Sequence, residues 1–404
     1  MEEMSTQKLL SSFNFTHWPE IHYGAGVVQN IASSLPLDDQ KILWVTGGRS
    51  GIFSGYFQAF LRISGIKIAD DQIVQIGGEP TPAMIDDLSA IYRSRGICKI
   101  VAIGGGSVID AAKAISAMLP LETSLLDHLE GVGKGLALTG SKIPLIAIPT
   151  TSGTGSEMTA NAVFSEIGEQ GYKKSIRHKS LIPDEIWIDP CLMISCPPQL
   201  TACSGLDTFT QLLESYLSTK SNIISDALAE KGLRLVIDNL EKAFDQGSQD
   251  TDVRGSMAIA SLLSGTCLAN AGLGIVHGLA GPLGGFFDIP HGVACAGLVA
   301  KANQVNHRAL KERSTSIANG DVDYLKKMAD VGRMFGAGHK SDDYYCEQLT
   351  QQLFEWESRF DIPKFSNYGI SQAALAKLVN ASSNRNNPIE LSSQEIESIL
   401  QHCL

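Results

Sequence analysis

The sequence predicts an α/β nucleotide-binding domain, built on a parallel, Rossmann-like sheet, followed by an all-α C-terminal domain. Strand–turn–helix units alternate through the first half, whereas strand signals become rare after residues 186–190. Segments with helical periodicity fill the second half. A chain of 404 residues also exceeds the size at which one hydrophobic core stops growing, so two domains are expected. Their boundary falls near the dipeptide Pro197-Pro198, giving domains over residues 1–193 and 194–404.

Each predicted strand is a short run of β-branched and other apolar residues that ends at a glycine or proline turn. Strands are predicted at residues 41–46, 72–76, 99–103 and 143–149. Helices between them are predicted at about 82–95 and 108–118. In the second half, apolar residues at helical spacing predict helices at about 199–218, 223–243, 252–270, 294–304, 322–336, 342–359, 371–381 and 393–402.

Charge and composition argue against several classes of partner and location. The formal net charge is −11 and no basic run occurs, which argues against binding to nucleic acid or to an anionic membrane. Residues 1–15 lack the basic and apolar regions of a signal peptide. The most apolar stretch, around residues 99–120, carries Asp110 and Lys113 and does not read as a membrane span. Eight scattered cysteines without a C-x-x-C pair are typical of small core residues in a reducing compartment, so we expect a cytoplasmic protein.

A glycine-rich turn connects a predicted strand to a helix in the segment VAIGGGSVIDAAKAIS, residues 101–116. Glycines let the backbone approach a ligand closely, and the free N–H groups of a first helical turn attract an anion. Gly105, Gly106 and Ser107 therefore form a candidate phosphate site. A strand–helix turn that binds no ligand is the alternative.

A second glycine-rich turn, PTTSGTGSEMT over residues 149–159, follows the next predicted strand and carries hydroxyl groups at Thr150, Thr151 and Thr154. In an open parallel sheet, ligands bind beyond the carboxyl ends of the strands. Two such turns at adjacent strand ends favour a bound pyrophosphate, and a dinucleotide is the simplest ligand. The alternative is a solvated Ser/Thr/Gly loop.

A candidate metal site combines residues from two distant segments. Asp207 and Gln211 lie one helical turn apart in SGLDTFTQLLES, so both can face one point. His277 and His291 flank a segment rich in glycine that contains a proline. One carboxylate and two imidazoles suit a divalent transition metal. Histidines satisfied within an apolar core are the competing interpretation.

Together these motifs resemble the iron-containing, group III alcohol dehydrogenase family, within the superfamily that includes glycerol dehydrogenase and dehydroquinate synthase. The resemblance covers nearly the whole chain. Further matching segments, in order, are HYGAG (22–26), GGEPTPAMIDDL (77–88), LIPDEIWIDP (181–190) and IPHGVACA (289–296). The resemblance implies an N-terminal nucleotide-binding domain, a C-terminal helical domain and a catalytic cleft between them.

The resemblance also implies a metal site and identifies two departures from the family pattern. Asp207, His277 and His291 match family metal ligands and are the expected catalytic residues. Gln211 stands where the family has a histidine, and its amide oxygen is expected to be a weaker fourth ligand. Fe(II) is the expected metal, with Zn(II) or Mn(II) as alternatives. Gly281 replaces a second histidine, which predicts a roomier substrate site.

The same resemblance assigns cofactor contacts. Gly105, Gly106 and Ser107 match the family's pyrophosphate turn, and the three threonines match its second cofactor-binding turn. Lys173, or its neighbour Lys174, matches a lysine that contacts the nicotinamide ribose. Gly47 stands where many relatives carry an aspartate that repels a 2′-phosphate, and Arg49 follows two residues later. We therefore expect NAD or NADP, with NADP or dual use favoured.

The predicted function is an NAD(P)-dependent oxidoreductase that interconverts an alcohol and an aldehyde or ketone, with a divalent metal polarising the substrate oxygen. Two alternatives remain open: a metal-independent reductase or polyol dehydrogenase on the same fold, and a catalytically silent cofactor-binding protein. Resemblance to the family further implies a homodimer or a higher homo-oligomer.

Overall fold

The structure, a computed structural model, describes residues 12–36, 41–48, 55–245, 249–313, 322–336 and 338–404. Within these ranges the strands are β1 Glu20–Tyr23, β2 Ile42–Gly47, β3 Ile73–Ile76, β4 Lys99–Gly104, β5 Leu145–Pro149, β6 Asn161–Glu166, β7 Tyr172–Arg177 and β8 Glu185–Ile188. The α-helices are α1 Gly55–Ser64, α2 Pro82–Tyr92, α3 Gly106–Met118, α4 Pro198–Tyr216, α5 Ile223–Asp245, α6 Thr251–Ala271, α7 Ile275–Phe286, α8 His291–Arg313, α9 Tyr324–Arg333, α10 Asp342–Arg359, α11 Leu375–Ala381 and α12 Ser393–Cys403.

The first half forms a six-stranded sheet in the order β1-β8-β5-β4-β2-β3, and all of its strand pairs are parallel. The four predicted strands are confirmed as β2, β3, β4 and β5, with ends that differ by at most two residues. Strand β1 was not predicted; it extends the sheet beyond β8, with Ile21 opposite Ile186. The predicted fold class, a parallel sheet followed by a helical half, is confirmed.

Both faces of the sheet are covered, as expected of a parallel sheet. Trp44 and Val101 point to one face, where they pack with Phe60 of α1. The other face packs against α2 and α3, represented by Ile85 and Ile115. Helices that follow β2 and β4 therefore lie on opposite faces, and the strand order changes direction between these two strands. Ligands bind at such switch points in open α/β sheets.

An antiparallel ribbon, β6–β7, follows the second glycine-rich turn and was not predicted. It places Lys173 opposite Ser165 and packs closely on helix α7. A Cβ atom at Gly285 of α7 would lie 2.9 Å from the backbone of Tyr172, so this contact requires glycine. The ribbon thus carries residues of the first half to the helical half.

The helical half confirms most predicted helices, and α10 spans the predicted residues 342–359. The prediction for 294–304 was too short, because α8 runs from His291 to Arg313. The segment before it, for which no helix was predicted, is helix α7 with Pro282 inside. Proline leaves the carbonyl four residues earlier without its helical donor. Here that carbonyl, on Gly278, accepts a hydrogen bond from the Ser383 N–H at 3.3 Å, so the helix continues.

Among the described residues, no single helix has the length and apolarity needed to cross a membrane. Helices α6 and α7 meet that test only as a pair, and the chain bends by 98° between them.

Candidate metal and cofactor site

One face of helix α4 carries three polar residues that are almost inaccessible to solvent. Asp207 and Gln211 are each 1% exposed and Glu214 is 8% exposed. Their spacing of four and then three residues places them in one row along the helix. The sequence reading identified the first two and missed Glu214, although its spacing was visible.

Four potential metal ligands converge at this face. Asp207 Oδ1 lies 3.2 Å from His277 Nε2 and 3.8 Å from His291 Nε2. Cys295 Sγ lies 3.7 Å from His277 Nε2 and 3.8 Å from His291 Nε2. One donor atom of each residue lies within 4.8 Å of all the others. Cys295, predicted to be a small core residue, is fully buried and also lies within this cluster.

The donor set fits a divalent metal. Asp207 Oδ1 is buried and has no hydrogen-bond partner of good geometry among the described residues. A buried carboxylate oxygen without a partner is costly unless a cation or donor compensates it. Oxygen, nitrogen and sulfur donors in one cluster are the ligands that transition metals prefer. A metal at this point would bind this oxygen in place of the contact with a protonated His277.

Glu214 fixes the orientation of His277. Its Oε1 accepts a hydrogen bond from the Val276 N–H at 2.6 Å, and its Oε2 lies 2.7 Å from His277 Nδ1. With the proton on Nδ1, the Nε2 lone pair faces Asp207 and Cys295. A Cβ at Gly274, just before helix α7, would lie 3.0 Å from Glu214 Oε1, which explains the glycine there.

The electrostatics of the cluster differ from residue to residue. Burial opposes charge on Asp207, but His291 and His277 outweigh it and hold the pKa of this carboxyl below its usual range. Burial lowers the pKa of His291 to about 4 and raises the pKa of Cys295 to about 12. Burial also opposes charge on His277, yet Cys295, Asp207 and Glu214 raise its pKa. An ionised Asp207 and a neutral His291 are ready to act as ligands.

Gln211 lies beside the cluster with its amide nitrogen toward Asp207. Its Nε2 donates to Asp207 Oδ2 at 3.2 Å, and its Oε1 accepts from Ser264 Oγ at 3.3 Å. The amide oxygen expected to be a ligand therefore faces Ser264. Gln211 holds one carboxylate oxygen of Asp207 and leaves Oδ1 for the other donors.

The two glycine-rich turns lie side by side, as their adjacent strands require. A Cβ at Gly105 would lie 3.1 Å from Thr151 Oγ1, and one at Gly106 would lie 2.6 Å from Thr154 Oγ1. The Thr150 N–H donates to the Gly104 carbonyl at 3.1 Å and ties the turns together. The structure thus joins the two predicted phosphate segments into one surface.

The residues at the two ends of this surface lie where the strand order of the sheet predicts them. Ser107 lies in the first turn of α3, where no acidic residue opposes an anion. Gly47 ends β2, next to β4, and so lies at the switch point of the sheet. Arg49, predicted to pair with a 2′-phosphate, is outside the described residues.

A buried polar network links helix α3 to the end of the second glycine turn, and it was not predicted from the sequence. Lys113, 0% exposed, donates to Thr159 Oγ1 and to the Asn161 carbonyl, both at 2.8 Å. Asp110 lies 3.6 Å from the Lys113 ammonium and accepts from the Val163 N–H at 2.9 Å. Helix α3 is thereby fixed to the end of the second turn and to β6.

Lys173 of the ribbon lies against helix α7, where a Cβ at Gly284 would be 3.0 Å from Lys173 Cδ. Its ammonium pairs with Glu79, which also accepts from Ser165 Oγ at 2.6 Å. The Lys173 charge contributes to the low pKa of His291, so the two side chains are close. Its neighbour Lys174 is exposed.

Gly281 lies one helical turn after His277 on α7. A Cβ added there meets no atom within 4 Å. The position has open space around it, in line with the expected roomier site.

The fold and the site together define a class of protein: a nucleotide-binding type of parallel sheet joined to a helical half that carries clustered metal-ligand side chains. Residues 19–190 match the family model described as iron-containing alcohol dehydrogenase. Residues 201–404 match the one described as Fe-containing alcohol dehydrogenase family, C-terminal. The chain therefore belongs to the iron-containing alcohol dehydrogenase family, as the sequence motifs predicted. This membership implies a metal and a nicotinamide cofactor.

Individual relatives agree with the family assignment. Alcohol dehydrogenase 4 of Saccharomyces cerevisiae (strain YJM789) is 31% identical over 391 residues, which are 95% of this chain and 96% of that protein. The 1,3-propanediol dehydrogenase of Klebsiella pneumoniae is 37% identical over 261 residues, 64% of this chain and 65% of that protein. The structure of the alcohol dehydrogenase from Oenococcus oeni superposes with a TM-score of 0.81 at 26% identity, covering 97% of this chain and 100% of that chain.

Proposed function

We propose that this protein interconverts a small alcohol and its aldehyde or ketone by hydride transfer with a nicotinamide cofactor. The cluster of Asp207, His277, His291 and Cys295, in a chain of this family, is the observation that carries the proposal. The names of its relatives, alcohol dehydrogenase and 1,3-propanediol dehydrogenase, support a short alcohol or diol as substrate.

Asp207, His277 and His291 hold a divalent metal in this proposal, with Fe(II), Zn(II) and Mn(II) as candidates. When bound, the metal acts as a Lewis acid on the substrate oxygen, and the nicotinamide donates or accepts hydride. Glu214 keeps the lone pair of His277 Nε2 directed at the cluster, since it binds the Nδ1–H. Gln211 holds Asp207 Oδ2 and so orients Oδ1.

The cofactor occupies the surface made by the two glycine turns. Gly105, Gly106 and Ser107 bind the pyrophosphate at the start of α3, where the helix dipole favours an anion. Thr150, Thr151 and Thr154 line the opposite side with hydroxyl and backbone donors. This arrangement directs the nicotinamide end toward the helical half.

Two further contacts concern the adenosine end and the nicotinamide end of the cofactor. Gly47 ends β2 at the switch point, where the adenosine ribose would bind, and its lack of a carboxylate would permit a 2′-phosphate. We therefore favour NADP or dual use. Lys173, positioned by Glu79, binds the nicotinamide ribose.

The test is a screen of alcohols with NAD and NADP, and of aldehydes with NADH and NADPH, on protein purified without chelator and then supplied with Fe(II), Zn(II) or Mn(II). We expect activity with at least one pair, lost in a chelator and restored by metal. Asp207→Ala should remove both activity and stoichiometric metal. Asp127→Ala, which removes the partly exposed partner of the exposed Lys134, is the matched control and should remain active.

Two other outcomes would replace the proposal. Full activity in a chelator would indicate a metal-independent reductase. Cofactor binding without turnover of any substrate, with every metal, would indicate a silent cofactor-binding protein.

We also propose that residues 1–193 and 194–404 act as the cofactor and metal domains of a homodimer or larger oligomer in the cytoplasm. Family resemblance supports this assembly, and light scattering of the purified protein tests it.

A further inference from the structure

We propose that the Cys295 thiolate, rather than the Gln211 amide, is the fourth protein ligand of the metal, and that the site consequently prefers Zn(II) to Fe(II). This inference rests on the proposed metal site at Asp207, His277 and His291. It adds a ligand on α8 that the sequence comparison with the family did not provide.

The distances match those of four ligands in a roughly tetrahedral arrangement, which a bound substrate oxygen would expand to five-coordinate. With metal–nitrogen bonds of about 2.0–2.1 Å and a metal–sulfur bond of about 2.3 Å, ligand atoms should be roughly 3.3–3.4 Å apart, or roughly 3.6 Å from a sulfur. Cys295 Sγ lies 3.7 Å and 3.8 Å from the two histidine Nε2 atoms. Asp207 Oδ1 lies 3.2 Å and 3.8 Å from the same atoms. These four distances differ from the expected ones by a few tenths of an ångström at most, and every pair of donors lies within 4.8 Å.

Helix α8 presents two of the donors together. His291 begins the helix and Cys295 lies four residues later, so both side chains project from one face toward the cluster. Cys295 is fully buried. The spacing His-x-x-x-Cys on a helix thus supplies two ligands from one rigid element.

The environment of Cys295 differs from that of three other buried cysteines. Cys267, Cys346 and Cys403 place their Sγ atoms 3.4 Å, 3.4 Å and 3.2 Å from backbone carbonyl oxygens, as expected of thiols that donate weak hydrogen bonds. Cys295 Sγ instead faces two imidazole nitrogens. A structural core cysteine needs no such partners, whereas a metal ligand does.

Gln211 is in the wrong orientation to compete for the metal. Its oxygen accepts a hydrogen bond from Ser264, and its nitrogen binds Asp207. Turning the amide to offer its oxygen would place that oxygen against the Asp207 carboxylate and break the hydrogen bond that orients it. The Gln211 amide therefore positions the Asp207 carboxylate and does not bind the metal itself.

The charge balance also favours a thiolate. When the metal binds, the S–H bond of Cys295 breaks, its proton leaves to solvent, and a sulfur–metal bond forms without electron transfer. Asp207 and Cys295 then supply two negative charges for a dication. Counted over the metal and its direct ligands alone, the site is then neutral, against a single positive charge with Gln211 as the fourth ligand; Glu214, behind His277, adds a negative charge in both cases. Soft thiolate ligands favour Zn(II) over Fe(II) and Mn(II).

Cobalt(II) substitution tests the proposal directly. We would load chelator-treated, full-length protein with one equivalent of Co(II) and record its near-ultraviolet absorption, where a cobalt–thiolate bond gives an intense charge-transfer band. We expect this band in the wild-type protein and in Cys346→Ser, which alters an equally buried cysteine away from the cluster. Cys295→Ser should bind without the band.

Competition titrations with a chromogenic chelator give the second readout. Cys295→Ser should bind Zn(II) at least about 100-fold more weakly than wild type, since even residues behind a ligand affect affinity 10–100-fold. Wild type should prefer Zn(II) to Fe(II), and Cys346→Ser should behave as wild type. If Cys295→Ser does not fold, the wild-type cobalt spectrum alone decides the question.

Either of two results would overturn the proposal: wild-type protein that binds Co(II) without a thiolate band, or wild-type protein that binds no metal. Failure of the proposed function is distinguishable. A thiolate band in a protein inactive on every alcohol and aldehyde would retain Cys295 as a ligand and reject the dehydrogenase. Metal-dependent turnover without the band would do the reverse.

Discussion

Replacing Lys113 by methionine isolates the contribution of the buried network beneath the glycine turns. Lys113 is fully buried, and Met has similar length but no charge. The substitution removes the donor to Thr159 Oγ1, the Asn161 carbonyl and Ser156 Oγ, at 2.8, 2.8 and 3.2 Å. It also leaves Asp110 without its cation.

The expected loss follows from these contacts. Burial raises the pKa of Asp110 and lowers the pKa of Lys113, and their mutual attraction opposes both shifts. Breaking a buried pair by removing one member costs about 3–5 kcal/mol. Each acceptor left unpaired adds about 1–3 kcal/mol where water cannot reach it. We therefore expect Lys113→Met to lower the free energy of unfolding by about 3–5 kcal/mol or more.

Adding Asp110→Asn should recover part of that loss. No charge is then buried without a partner, and the Asn oxygen still accepts from the Val163 N–H. The double variant should be more stable than Lys113→Met by about 1–3 kcal/mol, a coupling usual for contacting residues. Lys134→Met, whose ion pair with Asp127 is largely exposed, serves as the control and should be unchanged.

The assay is equilibrium urea denaturation followed by tryptophan fluorescence. Midpoints are compared between variants whose free energy of unfolding falls with the same slope against urea concentration. Cofactor affinity is measured in parallel, since the network fixes the position of the second glycine turn. A Lys113→Met midpoint equal to that of wild type would refute the reasoning. So would a double variant no more stable than the single one.

Three other substitutions test separate parts of the molecule. Burial raises the pKa of Glu157 from 4.5 to about 7. Because the folded state binds this proton more tightly than the unfolded state, ionisation costs roughly 3 kcal/mol as pH rises from about 4.5 to 7. Glu157→Gln should remove that loss, and urea midpoints at about pH 5 and pH 8 measure it. Glu214→Gln should weaken Zn(II) binding about 10–100-fold, because it no longer holds the His277 proton as a charged acceptor, and chelator competition measures this. Gly47→Asp should shift the ratio of NADPH to NADH turnover toward NADH by about tenfold or more. The reason is that repulsion between the new carboxylate and a 2′-phosphate at about 4 Å is worth about 1–4 kcal/mol. An unchanged ratio would show that residue 47 does not contact the 2′ position of the cofactor.

Local patterns were sufficient for most elements of the fold. Strand β4, its glycine turn and helix α3 follow from a short apolar run, three glycines and a helical repeat. Several elements were missed, and two of them, β1 and α7, have support that is distant in sequence. Strand β1 is held by pairing with β8. Helix α7 continues through Pro282 because the Ser383 N–H, about a hundred residues away, satisfies the Gly278 carbonyl.

In the candidate site too, local spacing predicted some features, whereas others depend on contacts that are distant in sequence. Asp207 and Gln211 share a helix face, so their spacing predicted that both would lie together. Which atom Gln211 directs at Asp207 depends on Ser264 of another helix, and spacing carries no such information. Glu214 and Cys295 each repeat a helical spacing, seven from Asp207 and four from His291. Those spacings identify them only after the two helices are known to meet.

The replacement of a histidine by Gln211 need not reduce the number of metal ligands. An amide that donates to Asp207 Oδ2 fixes the carboxylate in one rotamer, so Oδ1 remains directed at the two imidazoles. The position vacated on α4 is compensated by Cys295 on α8, which approaches the same two nitrogens from another helix. In this proposal, α4 loses a histidine ligand and α8 gains a cysteine ligand. The number of protein ligands stays at four, but one nitrogen donor is replaced by sulfur. With the proposed ligand set, we expect metal preference, rather than metal retention, to be the property that differs in this chain.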